Sequence, residues 1–239
     1  MSGASDGPML RAVTTVVLIR HGRTSANASG ILAGRTPGAG LDAVGRRQAR
    51  SLGTRLRDLP LDVVVHSPLE RCVQTVDGVL AGRPGVGRRS DDRLTECDYG
   101  DWTGRALEDL AQDPLWPAIQ AAPSSVTFPG GESMVAMALR ANEAVADAVA
   151  RHPGGIVAVV SHGDVIKAIL SAALAQSLDE FQRIVVGPGS LSLVRYGADR
   201  AAVLRMNDTG RALRRLTGER PSGPPGAAAA DSTLGGGAG

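Results

Sequence analysis

Two histidine-glycine pairs stand far apart in this chain, in Arg20-His21-Gly22 and in Ser161-His162-Gly163-Asp164. A histidine beside an arginine keeps a nitrogen lone pair free, because neighbouring positive charge opposes protonation of the ring. Such a nitrogen suits attack on an electrophile that is itself anionic, above all a phosphoryl group. Arginine also fits the phosphoryl oxygens better than lysine, since its planar fork makes two parallel hydrogen bonds. Arg71, inside Ser67-Pro68-Leu69-Glu70-Arg71-Cys72-Val73-Gln74-Thr75, is a third candidate cation. Glu96, shortly before Tyr99-Gly100, is the candidate proton carrier. That task calls for a carboxyl whose pKa is raised toward neutrality by a partly dry setting. Taken singly, each residue also has a plainer reading: a turn histidine, a solvated arginine, a surface glutamate at a strand end.

The elements that must position these residues are legible around them. Residues 14–19 and 156–160 are apolar and rich in β-branched side chains without alternation, which predicts strands buried on both faces of an α/β sheet. Such sheets bind ligands beyond the carboxyl ends of their strands, where both histidine-glycine pairs fall. A third strand over residues 62–65 leads into a helix over 69–80, with Ser67 as its cap, Pro68 in its first turn and Arg71 pointing back at the sheet edge. Further helices are expected over 42–59, 133–151 and 164–175, a strand near Ser190, and an edge strand over 201–206. The alternation predicts an α/β fold, a three-layer α/β/α sandwich with a mainly parallel sheet.

In this order, Arg20-His21-Gly22 with Asn27, Ser67 to Thr75 with Arg71, Glu96 with Tyr99-Gly100, and His162-Gly163 resemble the pattern of the histidine phosphatase superfamily. This is the phosphoglycerate mutase-like, branch-one clan, and the resemblance covers roughly residues 13–196. Within it the chain looks similar to actinobacterial members labelled phosphomutase or phosphatase. The resemblance implies a small helical lid and a nucleophile at His21 that forms a phosphohistidine, later opened by water. It makes Glu96 the proton donor and acceptor, and His162, Arg20 and Arg71 the remaining catalytic groups. Arg20, Gly22, Asn27, Arg71, His162 and Gly163 are the expected substrate-binding residues, with Gly163 offering a helix-start amide. A partly protonated His162 is expected to add to the positive charge around His21. The expected substrate is a small phosphorylated metabolite, with no cofactor, no metal and activity that survives chelators; a homodimer is compatible with the resemblance.

Phosphoglycerate mutases of the family place Arg directly after the catalytic Glu and more cations in the following insertion. Here Cys97 follows Glu96, and residues 106–128 hold neither Lys nor Arg, so hydrolysis is favoured over mutase chemistry. That insertion carries Asp109, Asp113 and Trp116, and residues 99–128 hold four of the six aromatics, which predicts an apolar lid and a bulky or apolar leaving group. Glu132-Ser133 resembles a Gly-Glu-Ser segment of phosphatase members; Ser133 is expected to cap a helix, and Glu132 either to favour its dipole or to touch substrate. His66 and His152 are read as structural or solvent-facing. A silent phospho-ligand module is the reading from another class, but such members usually lack a histidine or an arginine that this chain retains.

With 239 residues and 43% hydrophobic content, the chain can bury one full α/β core. All but one of its 26 basic residues are arginine, yet the net charge is only +2, which argues against nucleic-acid binding. No apolar stretch reaches the roughly 18 residues of a membrane span and no signal pattern opens the chain, so a cytoplasmic location is expected. Cys72 and Cys97 suggest free thiols rather than a disulfide framework. Residues 10–213 are expected to form the catalytic domain. The flanks 1–9 and 214–239, small, polar or rich in Gly, Ala and Pro, are expected to be disordered.

Overall fold

The central strand β1 (Thr14–Arg20) is buried along nearly its whole length. Its alternating side chains serve two cores, Val17 and Ile19 on one face, Val16 and Leu18 on the other. That division generates three layers from one strand, as the continuous apolar run predicts. The computed structural model describes residues 13–210. The flanks 1–9 and 214–239, expected to be disordered, lie outside the described residues.

In chain order the elements are β1, α1 (Ser25–Ala28), α2 (Ala43–Arg55), β2 (Val63–His66), α3 (Glu70–Val79), β3 (Gly87–Ser90), α4 (Leu107–Leu110), α5 (Trp116–Ala121), α6 (Met134–Arg151), β4 (Ile156–Ser161), α7 (Gly163–Ala173), β5 (Leu191–Tyr196) and β6 (Ala201–Asp208). The sheet order is β3-β2-β4-β1-β5-β6. The first four strands in that order are parallel, whereas β5 runs antiparallel beside β1 and β6 antiparallel beside β5 at the sheet edge. Leu52 and Leu56 of the α2 region and Val76 of α3 cover the Val17-Ile19 face. Met137 and Ala141 of α6 and Ile166 of α7 cover the other.

Register brings the two histidines together. Arg20 pairs with Ser161 across β1 and β4, so His21 and His162 leave adjacent parallel strands side by side at their carboxyl ends. The ring centroids lie 5.2 Å apart, edge to face.

Three elements depart from the expectation. β3 was not anticipated, because its sequence Gly-Arg-Arg-Ser carries no apolar pattern; it survives as a charged edge strand beside β2. The second helix stops at Arg55, short of residue 59. Ser67 does not cap α3: that helix starts at Glu70, its cap residue Leu69 makes no side-chain cap bond, and Pro68 precedes the helix. Ser67 is instead drawn inward to His162. The expected edge strand near 201–206 is present as β6, and Ser133 caps α6 by accepting from the Ala136 amide.

Candidate active site

His21 sits just past β1 and is buried. Its Nδ1 lies 2.8 Å from the Gly22 carbonyl oxygen. A carbonyl only accepts, so Nδ1 carries the proton and the lone pair is at Nε2. That nitrogen receives the Arg71 Nε at 3.2 Å. Burial, then Arg71, then Arg20 drive the His21 pKa well below its ordinary value. The ring is therefore neutral, with a defined nucleophilic atom.

Arg71 falls in the first turn of α3, as expected, and a second nitrogen of its guanidinium donates to the Gly34 carbonyl at 2.7 Å. This bond ties the loop over the pocket to the cation. Arg20, the last residue of β1, is 1% exposed and donates to the Val186 carbonyl at 2.6 Å. Gly163 packs against Arg20: a Cβ there would stand 3.4 Å from the guanidinium carbon, an ordinary contact. His162, fully buried at the start of α7, is pushed well below its usual pKa by burial and by Arg71. It is neutral, which corrects the expectation of a partly protonated ring: a buried imidazolium beside Arg71 loses its solvation and meets like charge.

Glu96 is not on the surface. It lies 4% exposed after a 3-10 turn (Asp92–Leu94) that follows β3. Burial, with the Asp164 carboxylate second, pushes its pKa up to about 7. One carboxyl oxygen accepts from the Cys97 amide at 3.0 Å, and the other is 3.9 Å from His162 Nδ1. The Glu96 carbonyl is held at the same time by Arg35 Nε at 2.9 Å and Arg140 Nη2 at 3.1 Å. Both arginines are anchored on Glu132, which also accepts from the Asp98 amide at 2.8 Å. Glu132 therefore fastens the loop that carries Glu96 and does not line the pocket.

The pocket is lined by His21, Arg71, Glu96, Thr24 and Asn27, with Tyr99, Ile31, Leu32, Ala33 and Leu107 among its walls. Asn27 turns its carbonyl oxygen to the Thr24 amide and hydroxyl, which leaves its NH2 end for a ligand. Gly22 departs from the expectation, since its amide is spent on Thr75 Oγ1 at 3.0 Å. Its need for glycine comes from packing, because a Cβ would fall 2.6 Å from the Gly45 carbonyl of α2. Trp116 also departs: it stacks on Trp102 at 6.3 Å in the lid's own core, away from the pocket lining. Ile31 and Leu107 supply the apolar wall in its place, pinned together by Leu107 N donating to Gly30 O at 2.8 Å. Asp109 is exposed, and Asp113 pairs with Arg105 at 3.6 Å.

His66 is buried with Nδ1 2.8 Å from the Ser67 carbonyl, a structural contact; His152 is half-buried just past α6, and its backbone carbonyl accepts from the Thr14 hydroxyl. Cys72 and Cys97 are free and buried; burial pushes the Cys72 thiol up to about 12 and the Cys97 thiol well above its usual value. Sequence reasoning missed Tyr99 and Asp164, whose hydroxyl and carboxylate meet at 2.7 Å behind the pocket.

The sequence model described as histidine phosphatase superfamily (branch 1) matches residues 16–209. The bifunctional protein Rv2228c of Mycobacterium tuberculosis is 33% identical over 201 residues, covering 82% of this chain and 54% of that protein. The chain thus spans about half the length of that relative. Phosphoserine phosphatase 1 of Hydrogenobacter thermophilus is 28% identical over 81% of this chain and 92% of its own. A protein of Erwinia tasmaniensis named "Probable phosphoglycerate mutase GpmB" is 31% identical over 76% of this chain and 84% of its own. The solved structure of YhfR from Bacillus stearothermophilus matches with a TM-score of 0.76 at 30% identity, covering 82% of this chain and 97% of that one.

Proposed function

The chain belongs to branch 1 of the histidine phosphatase superfamily, and from that premise we propose that it is a metal-independent phosphomonoester hydrolase acting through a phosphohistidine on a small phosphorylated metabolite. The observation that carries the reading is the His21 ring, with Nδ1 tied to the Gly22 carbonyl and the lone pair at Nε2, where it faces Arg71 Nε. In the first step Nε2 attacks phosphorus in line as the ester P–O bond breaks. Glu96, protonated up to about pH 7, passes its proton to the leaving oxygen. In the second step the Glu96 carboxylate takes a proton from water, the water oxygen attacks phosphorus and the P–N bond breaks. Arg20, Arg71, His162, Asn27 and the Gly163 amide neutralise the phosphoryl oxygens in both steps, which is where most catalysis of phosphoryl transfer resides.

Beyond the phosphoryl site the lining holds Ile31, Leu32, Ala33 and Leu107 and, among the described lining residues, no cation other than Arg71. This supports a leaving group that is uncharged and apolar next to the ester oxygen, and disfavours a phosphoglycerate mutase, whose substrate carboxylate needs a second cation. The catalytic unit of this reading comprises residues 10–213, in the cytoplasm.

The test is p-nitrophenyl phosphate hydrolysis with a chelator present, comparing the native chain with His21→Ala, alongside a mutase assay on 3-phosphoglycerate with its bisphosphate. Chelator-resistant hydrolysis abolished by His21→Ala is the expected result. Mutase turnover without hydrolysis, or silence in both assays, would overturn it.

A further inference from the structure

Ser67 is a motif residue whose expected role as a helix cap the fold does not use. Its hydroxyl is fully buried and stands 2.8 Å from His162 Nε2. The same oxygen accepts from the Leu69 amide at 3.3 Å. Its own proton still needs an acceptor in a place water does not reach. Two atoms are in range of that demand, His162 Nε2 and the sulfur of Cys72, which lies 3.5 Å from the same ring nitrogen. Cys72 keeps its thiol proton and directs it to the Ser161 carbonyl at 3.6 Å. A thiol sulfur is a weak acceptor and an imidazole nitrogen a strong one.

We propose that Ser67 is a positioning residue that donates to His162 Nε2 and so holds the ring in its Nδ1–H tautomer, letting a neutral imidazole donate to the transferring phosphoryl group. Nδ1 is the ring nitrogen nearer Glu96, 3.9 Å from its carboxyl oxygen. In the opposite tautomer Nδ1 would turn a lone pair toward the anionic substrate. The Ser67 hydroxyl proton would then be left to sulfur. Setting one ring nitrogen with a fixed partner so that the other does the chemistry is a general use of histidine. It also explains how a second histidine deprived of its charge still serves an anion. Ser67 occupies the position before Pro68 because the chain must leave β2 with its hydroxyl turned across β4; the Ser67 amide donates to the Val160 carbonyl at 3.0 Å, which sets that orientation.

The kinetic part of this inference rests on the hydrolase reading, whereas the tautomer itself does not. With histidine labelled in 15N, ring-nitrogen NMR at neutral pH reads the tautomer directly, each ring assigned by substituting the other three histidines in turn. The native chain is expected to show His162 protonated at Nδ1. Ser67→Ala is expected to populate the Nε2–H form and to lower kcat/KM on p-nitrophenyl phosphate about 10-fold, less than the roughly 10²–10³-fold cost of losing an oxyanion donor outright. Ser67→Thr, which keeps the hydroxyl, restores both. A native His162 protonated at Nε2 overturns the proposal, and so does Ser67→Ala with an unchanged tautomer, whatever its activity. If Ser67→Ala does not fold, the native spectrum alone decides. A chain that hydrolyses nothing still yields that spectrum, so failure of the hydrolase reading and failure of this one are separable.

Discussion

Glu96 carries a conflict between catalysis and stability that pH can separate. In the folded chain its carboxyl holds a proton up to about pH 7, against 4.5 for the same group in water. Between those values the native state binds more protons than the unfolded state, so stability falls as pH rises through the window and the full cost is present above it. Glu96→Gln has no proton to lose. It is expected to be more stable than the native chain by on the order of 2 kcal/mol at pH 8 and nearly equal at pH 4, read from urea melts at both. The same substitution removes the acid that protonates the leaving oxygen. Phosphoryl transfer from an alkyl phosphate to His21, read in a single turnover, is expected to fall by about 10²–10⁴-fold, with a much smaller effect on that step for p-nitrophenyl phosphate, whose leaving group departs unprotonated, while opening of the phosphohistidine by water slows equally for both. In the native chain the alkyl-phosphate rate is expected to decline above about pH 7, as the acid form of Glu96 is lost. Equal losses on both substrates would remove Glu96 from the acid role. His21, Arg71, Glu96 and His162 were legible in the sequence because each has a local signature at a strand exit or before a turn. The neutrality of His162 and the use of Ser67 were not, since both depend on residues 95 positions apart meeting in a dry interior.

At the level of elements, the catalytic loop after β3 is positioned by charge and the nucleophile loop by the absence of side chains. Glu132 gathers Arg35, Arg140 and the Asp98 amide, and the two arginines close on the Glu96 carbonyl. Glu132→Ala leaves two half-buried guanidiniums without their shared carboxylate. It is expected to cost about 1–3 kcal/mol in thermal or urea unfolding, below the 3–5 of a fully buried pair, and to lower kcat with KM nearly unchanged. A raised KM at constant kcat would mean that Glu132 touches substrate after all. The β1-to-α1 loop approaches α2 so closely that a Cβ at Gly22 would meet the Gly45 carbonyl at 2.6 Å, and one at Gly45 would meet the Arg23 carbonyl at 2.0 Å. Gly22→Ala must therefore separate the loop from α2 and is expected to cost about 1–3 kcal/mol, with a loss of activity larger than that cost explains because His21 is the adjacent residue. β1, β2, β4 and the long helices were readable from apolar runs and caps. β3 was not, because a charged edge strand is specified by its neighbour β2 and not by its own pattern.

The whole molecule makes the site out of four separate strand exits: His21 after β1, Arg71 after β2, Glu96 after β3 and His162 after β4. Those four strands are the contiguous parallel part of the sheet, in the order β3-β2-β4-β1. No single strand exit holds more than one of the four groups, and the histidines meet through the Arg20-Ser161 register of the central pair. Loss of the sheet and loss of the site are therefore one event. Two consequences can be measured. A chain comprising residues 10–213, the proposed catalytic unit, is expected to keep kcat/KM within about twofold of the full chain, because every pocket group and every strand among the described residues lies inside it. In urea, the midpoint read from p-nitrophenyl phosphate hydrolysis should coincide with that read from far-ultraviolet circular dichroism, and both should move together when inorganic phosphate is added, by up to about 2.7 kcal/mol at 100 times its Kd. Activity that vanished well before the dichroism would show the pocket wall made by Ile31 and Leu107 opening apart from the sheet. The backbone bonds from the Leu107 amide to Gly30 O, from the Gly104 amide to Leu32 O and from the Leu32 amide to Arg105 O argue against that, since they stitch the lid to the loop that Arg71 holds through Gly34. Lid, cation and nucleophile are thus joined by one continuous set of hydrogen bonds, and the two transitions are expected to be the same transition.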